Sequence, residues 1–543
     1  MDIHGENSFK AKSYASAAFA IDKLPMQLHE TPKEKLAGIK GIGESTAKKV
    51  VELLETGELK VLQDLIVITP EGIIEMMRIK GLGPKKIATI WKEMEIESIG
   101  ELLYACKENR LKLYKGFGEK TQQNVIETIE FYLRNKGSFL FSQVEEMETS
   151  IRTFFEKIFS STRIGLAGAY ARHIETVDEI EIIVIASITE IQNKMNAVED
   201  FNNIEQNQES VLYKSTLGFK VRLYASDEST FAKILFSKNC SDDFINKFST
   251  SYPSLNFNLC KSEEDIFAQA GIPFIPAWLR EQENIIDFIK ENGLPILIEP
   301  NDIKGIIHSH SDWSDGNNTI EQMAKAAITK GLEYLVISDH SKSAFYASGL
   351  SEEKINAQHK YVDELNIQLA PFKIFKSIES DILNDGSLDY SNAILSTFDL
   401  VIASVHSNLK MNEEKAMMRL LNAIENPYTT ILGHMTGRLL LSRKGYPVDH
   451  KKIIDACAAN SVVIELNAHP SRLDIDWRHI AYALEKNVLV SINPDAHDVS
   501  GFNDVRYGVL VAQKALVKKE NNLSSFGLEA MEIFVAAAKQ KRK

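Results

Sequence analysis

The stretch KGIIHSHSDWSDG, residues 304–316, decides how the rest of the chain is read. A short apolar run ends in His308-Ser309-His310, and Asp315 follows. Residues two apart in a strand share a face, so both imidazoles are expected to leave the strand end in one direction. Neutral imidazole ligates metals, and a carboxylate nearby suits a divalent cation. Alone, such a pair more often marks a partly exposed strand end than a metal site. The sequence downstream separates the two readings.

Six further runs rich in Val, Ile and Leu follow the first, and each leads to a polar residue. YLVISD precedes His340, FKIFKSI precedes Glu379 and LVIASV precedes His406. TTILG leads to His434, SVVIEL to Asn467, and VLVSINP to Asp495 and His497. Helical patterns such as EKAMMRLLNAIEN lie between them. Strand-helix alternation predicts a parallel sheet, and this many units suggest a barrel, whose reactive groups collect at the carboxyl ends of the strands. Ten of the thirteen histidines lie after residue 303, most of them at these strand ends, with His469 beside Asn467. His359, His450 and His479 fall in helical or loop stretches and read as surface residues.

This arrangement resembles a PHP (polymerase and histidinol phosphatase) domain, a distorted (β/α)7 barrel that holds three metals. By that resemblance, His308, His310, Glu379 and Asp495 hold one ion. Glu379 bridges to a second ion completed by His406 and His434, while Asp315, His340 and His497 hold the third. The WSDG form, with Asp315 where many relatives have His, is similar to the version fused to bacterial family X DNA polymerases. An all-nitrogen and oxygen ligand set suits Mn, Zn or Fe. Closely spaced ions activate water and stabilise an in-line displacement at phosphorus, so the implied chemistry is phosphoester hydrolysis, with His310, Asp315, Glu379 and Asp495 at its centre. Arg438, in GHMTGRLLL, is placed to clamp a phosphate oxygen or to form a structural ion pair.

The N-terminal region reads differently. Residues 8–30 predict an amphipathic helix with Phe9, Tyr14, Ala18 and Ile21 on one face. LAGIKGIGESTAKKVVELL (36–54) and MMRIKGLGPKKIATIWKEM (76–94) share a Gly-x-Gly turn that opens a helix, and YKGFGEKTQQNVIETIEFYL (114–133) is a weaker copy. Glycines 41, 43, 81, 83, 116 and 118 (Gly41, Gly43, Gly81, Gly83, Gly116 and Gly118) allow backbone N–H groups to approach an anion at the positive end of each helix. These units resemble helix-hairpin-helix motifs, which grip DNA backbone phosphates without reading sequence. Lys48, Lys49, Lys80, Lys85 and Lys86 would add to the grip. A lone Gly-x-Gly merely closes an αα-hairpin; tandem copies favour phosphate binding.

Residues 137–235 look like the palm of a family X DNA polymerase, and the departures from its pattern are informative. Where the family has Gly-Ser, this chain has Gly168-Ala169; the paired acids become Glu179 and Glu181, and the third acid becomes Arg222. Replacing an anion by a cation moves the site two charges towards positive. At an effective dielectric near 20, one charge about 4 Å from a cation is worth roughly 4 kcal/mol. Arg222 is therefore expected to repel metal and to pair with Glu179 or Glu181, so Mg is not expected in the palm and templated synthesis is expected to be lost.

The chain's 543 residues exceed one core, and several domains are expected. The expected divisions are a helical domain over 1–95, a fingers-like helical domain over 96–136, the palm over 137–235, a thumb-like domain and linker over 236–302, and the PHP domain over 303–543. The fold class is thus multidomain α/β: helix-hairpin-helix, then a nucleotidyltransferase-like α+β palm and thumb, then the barrel. A net charge of -13 excludes a wholly basic nucleic-acid coat, so DNA binding must be local. Four cysteines without paired spacing, and no signal-like or 18-residue apolar stretch, predict a cytoplasmic monomer without membrane association. The resemblance implies 3′–5′ exonuclease or end-trimming action on DNA ends or gaps. The alternatives are an active polymerase, a small-molecule phosphatase of the histidinol-phosphatase kind, and a non-catalytic DNA-end scaffold.

Overall fold

Short helices opened by glycine fill the first part of the chain. In the computed structural model, which describes all residues except 7, 23–27, 40–41, 80, 135–136, 161–162 and 543, helices span Glu44–Thr56, Pro84–Lys92 and Glu119–Arg134. Gly43 and Gly83 precede the first two in extended backbone. Gly81 and Gly116 both sit at φ +94, a conformation that a side chain would strain. Gly41 and Lys80 lie outside the described residues. The helix expected over 8–30 is described over Ser8–Asp22, with 23–27 outside the described residues; of its stripe Ile21 packs against the Leu36, Ile42, Ala47 and Val50 cluster, while Phe9 is 77% exposed and Ala17 rather than Ala18 is buried. The first two of these helices and Glu119–Glu130 of the third belong to one compact unit, Met1–Lys107 with Leu111–Glu130. Glu108–Arg110 and Phe131–Lys543 form the second unit.

The second unit begins with a mixed α/β region. Strands β1 (Phe139–Leu140) and β3 (Thr176–Val177) form a small antiparallel pair. Strands β2 (Ile164–Ala167), β4 (Ile180–Ile185), β5 (Phe201–Gln206), β6 (Ser210–Ser215) and β7 (Lys220–Ser226) form a sheet in the order β2-β4-β7-β6-β5. Period-two alternation sorts its side chains. Ile180, Ile182, Val184, Val221 and Leu223 enter one core with Phe155 and Phe159. The opposite face therefore carries Glu181, Arg222 and Tyr224, and Glu181 pairs with Arg222 in the β4–β7 register. A helical cluster built on Phe236, Phe244, Phe248 and Phe267 follows, with the buried Arg280 ion-paired to Glu263.

Each of the seven apolar runs then forms a strand. They are β8 (Gly305–Ile306), β9 (Tyr334–Ile337), β10 (Lys373–Asp381), β11 (Leu400–Ser404), β12 (Ile431–Leu432), β13 (Val463–Asn467) and β14 (Val490–Asn493). All pair in parallel and in chain order, as near-continuous apolar strands covered on both faces should. The first half of β10 pairs with β9 and its second half with β11. Beyond the ends of β8 and β14 the sheet nearly closes, because Ser309 bridges Ala496 in parallel and His310 N donates to Ala496 O at 2.8 Å. Closure thus falls at the carboxyl ends of the strands.

The histidines expected at the surface are not there. His359, in the helix Glu352–Leu369, is buried with its ring edge-on to Phe398, and His450 and His479 stack with centroids 3.7 Å apart, both partly covered. Helical periodicity turned these positions inward. Burial, with Lys376 adding to it, lowers the His359 pKa to about 4. A base whose folded pKa is depressed binds its proton more tightly when unfolded, so stability is lost as pH falls from about 6.5 to about 4. His359→Gln is expected to flatten that limb in urea unfolding measured across this range; an unchanged slope would exclude His359 from the acid response.

Candidate metal centre

Glu379 sits at the middle of the barrel mouth, on the carboxyl-terminal half of β10. Its Oε1 lies 3.2 Å from His308 Nε2, 3.1 Å from His406 Nε2 and 2.9 Å from His434 Nε2. Its Oε2 lies 2.9 Å from His340 Nδ1 and 3.8 Å from His310 Nε2. One carboxylate therefore approaches five imidazoles contributed by four different strand ends. Asp495 completes one side, with Oδ1 3.1 Å from His310 Nε2 and 3.4 Å from His308 Nε2. Asp315 closes the other, 3.5 Å from both His340 Nε2 and His497 Nε2. All nine side chains are brought together; eight are buried and His406 stands at the rim.

Strand alternation does not account for the meeting of His308 and His310. Strand β8 ends at Ile306, and His308 has φ +61. Asp495, which follows β14, has φ +54. Left-handed backbone at two residues other than glycine costs roughly 1–3 kcal/mol each and persists because the Ser309–Ala496 bridge fixes the crossing. Asp315 reaches the site through the turn ending at Gly316, where any Cβ would sit 2.2 Å from His310 O.

The buried charges set one another's protonation. Burial opposes the charged form of Glu379, but His406, His308 and His340 outweigh it and hold the carboxyl well below its usual range. Asp315 and Asp495 are held down likewise, against burial, by His340 and His497 and by His308 and His310 respectively. Burial opposes protonation of His406, yet Glu379 and Asp381 raise its pKa to about 9. His310 is the exception: burial and the neighbouring His497 and His340 lower it.

This donor set fits divalent ions. Buried His308 Nε2, His310 Nδ1, His340 Nδ1, Glu379 Oε2, His434 Nδ1 and His497 Nε2 make no hydrogen bond, and such atoms call for a ligand. The donors are nitrogen and oxygen throughout, and every cysteine is a buried free thiol outside the cluster. Ligand atoms lie within 4.8 Å of one another in the sets His310–Asp315–His340–His497, His308–His434–Asp495, His308–His310–Glu379 and His340–Glu379–His406.

An outer layer of acids and amides was not foreseen from sequence. Glu465, inside β13, accepts from His308 Nδ1 at 2.6 Å and from Asn493 Nδ2 at 2.8 Å. Asp381, two residues after Glu379 on the same face of β10, lies 2.5 Å from His406 Nδ1. Asp339 accepts from Ser311 and Gln358. The signal was present: an acid within an all-apolar strand has no reason to be there unless it is paired. Asn467 donates to Asp495 at 3.1 Å and so supports a ligand. Arg438 is committed elsewhere, to Asp476 at 2.7 Å, Arg472 O at 2.9 Å and Leu473 O, so clamping a phosphate would forfeit these bonds. Arg472 lies 3.7 Å from Asp495 instead. One further carboxylate, Glu108, lies within 4.8 Å of the ligand atoms of Asp495 and His497.

In the mixed sheet, Arg222 donates to both oxygens of Glu179, at 2.6 and 3.1 Å, and to Glu205 at 3.1 Å. Glu181 accepts from Tyr224 OH at 2.9 Å, and burial raises its pKa. Its side chain fills the space over Gly168, where a Cβ would come within 1.8 Å of Oε1, with Ala169 alongside.

Comparison with known proteins agrees with this architecture. Residues 307–469 match the model of the PHP domain, residues 1–59 a helix-hairpin-helix domain, and residues 73–130 a SAM-like helix-hairpin-helix tandem. The chain is similar to a DNA polymerase/3'-5' exonuclease PolX of Bacillus subtilis, 29% identical over 98% of this chain and 96% of that protein. It is also similar to a probable phosphatase of Caldanaerobacter subterraneus, 29% identical over 36% of this chain and 78% of that protein. A second probable phosphatase, from Thermoanaerobacter sp., is 27% identical over 36% of this chain and 81% of its own length.

Glu379→Ala is expected to lower bound metal more than any other single change at the site, measured by elemental analysis after dialysis. Glu465→Gln, which loosens His308 without removing a ligand, is expected to weaken metal binding about 10- to 100-fold. Equal metal content in Glu379→Ala and the unaltered protein would refute the hub.

Proposed function

We propose, from a chain whose domains and full-length similarity mark it as a bacterial family X polymerase-like protein with a C-terminal PHP domain, that it is a metal-dependent phosphodiesterase acting on the 3′ ends of DNA. The observation that carries this reading is the convergence of nine nitrogen and oxygen side chains at one barrel mouth, with Glu379 in their midst, in a chain that also bears tandem helix-hairpin-helix units. His308, His310, Glu379 and Asp495 would hold one divalent ion. Glu379, His406 and His434 would hold a second, and Asp315, His340 and His497 a third. Bound there, the ions supply an activated water and stabilise charge developing at phosphorus. Glu465 and Asp381 fix the orientation of His308 and His406 through the ring nitrogens turned away from the cluster. Asn467 holds Asp495, and the Arg472 guanidinium beside it is positioned for a phosphate oxygen.

In the palm, the groups that would bind Mg²⁺ are engaged with each other. Arg222 neutralises Glu179 in a bidentate pair, and Glu181 lies under Gly168 against Tyr224. Opening this face would unpair a carboxylate and a guanidinium before any metal could enter, so polymerisation is assigned as lost. A small-molecule phosphatase has no use for the hairpins, whose glycine-opened helices are suited to backbone phosphate.

With Mn²⁺ and a 5′-labelled gapped duplex, the labelled strand is expected to shorten from its 3′ end, and dNTPs are expected to give no extension. Asp495→Ala and His310→Ala should slow shortening by about 100-fold or more, since they remove ligands outright. Extension without shortening, or turnover of histidinol phosphate alone, would overturn the assignment. At the hairpins, Lys85→Ala is expected to weaken DNA binding alike on unrelated sequences and to reduce the salt dependence by about one ion, read by fluorescence anisotropy at several salt concentrations.

A further inference from the structure

Glu108 lies outside residues 307–469, which match the PHP domain, yet it approaches the metal centre. A carboxylate oxygen of Glu108 and the ligand atoms of Asp495 and His497 all lie within 4.8 Å of one another. The segment Glu108–Arg110 packs as part of the same compact unit as the barrel. Glu108 is only 7% exposed, and an acid so far removed from water needs a cation to offset its desolvation. Arg110 Nη1, 3.6 Å from Glu108 Oε2, supplies part of that offset. On the facing side, His497 Nε2 is buried and makes no hydrogen bond.

The backbone is arranged to hold this residue in place. Asn109 has φ +57, and its side-chain amide donates to Asn317 Oδ1 at 2.6 Å and to Asp315 O at 3.4 Å. Asn317 N in turn donates to His497 O at 2.7 Å. Glu108 is thereby tied to the two loops that carry Asp315 and His497.

We infer that Glu108 is a tenth protein ligand of the centre, giving a carboxylate oxygen to the ion bound through His497, on the side that faces Asp495. The inference rests on the metal-centre reading above. Three carboxylates among the nine barrel ligands leave three divalent ions with excess positive charge; a fourth reduces that excess where no histidine can. It also makes the centre depend on chain that is not part of the barrel.

The test uses the full-length protein, stripped with a chelator, reloaded with Mn²⁺ alone, and measured by equilibrium dialysis with elemental analysis. Glu108→Gln keeps the side chain's size and removes its charge; it is expected to bind one fewer ion, or to bind the weakest one at least tenfold less tightly. Asn109→Ala, which cuts the tether and leaves every ligand in place, is expected to weaken the same ion. Circular dichroism melting of the metal-free proteins checks that both variants fold, and Asn109→Ala decides if Glu108→Gln does not. Metal binding unchanged in the folded variants would refute the role of Glu108 alone, whereas an unaltered protein that binds no Mn²⁺ would refute the metal centre itself.

Discussion

A single carboxylate surrounded by imidazoles in a sealed barrel mouth is the constraint on which the C-terminal fold depends. Glu379 is buried beside His308, His310, His340, His406 and His434, where an uncompensated charge would cost several kcal/mol. The cluster must therefore hold positive charge, either as protons on the rings or as ions between them. The raised pKa of His406 and the depressed pKa of Glu379 describe the protonated arrangement. Ions binding here displace those protons, so metal affinity rises with pH until the rings are neutral. The outer acids Glu465 and Asp381 lie behind His308 and His406 and make their inward nitrogens better donors.

The mixed sheet solves the opposite problem. Its β4–β7 face places Glu179 and Glu181 beside one another, and no metal is needed once Arg222 and Tyr224 satisfy them. Two side-chain pairs, Arg222 with Glu179 and Tyr224 with Glu181, satisfy the acids of this face. The strand order and the apolar core beneath survive because they depend on Ile182, Val184, Val221 and Leu223, on the other face. Successive side chains point to opposite sides of a sheet, so the residues of one face are free of the packing demands on the other.

Much of this was legible in the sequence. Strands in parallel sheets are continuous apolar runs, so all seven could be located, and the polar residue after each run marked the mouth. What composition and spacing could not show was local geometry. His308 reaches the site through left-handed backbone that no strand template contains. Spacing could not choose between a phosphate clamp and an ion pair for Arg438, because its partners, Asp476 and two carbonyls, come from a loop more than thirty residues away. Glu465 and Asp381 were hidden inside strands assigned to packing. A helix does run over Ser8–Asp22, but helical spacing alone could not show which of its apolar residues are covered: Ile21 packs inward and Phe9 remains exposed.

Closure of the barrel and the position of its ligands are the same event. The Ser309–Ala496 bridge joins the chain after the first strand to the chain after the last. His308 and His310 flank one partner of that bridge, and Asp495 and His497 flank the other. Four of the nine ligands are thus set by a single contact between sequence positions almost two hundred residues apart. Left-handed backbone at His308 and Asp495 lies immediately before the bridging residue on each chain. A barrel that failed to close there would lose ligands from every proposed ion except the one between His406 and His434. Glu379 alone cannot hold the rest, because a hub needs a rim.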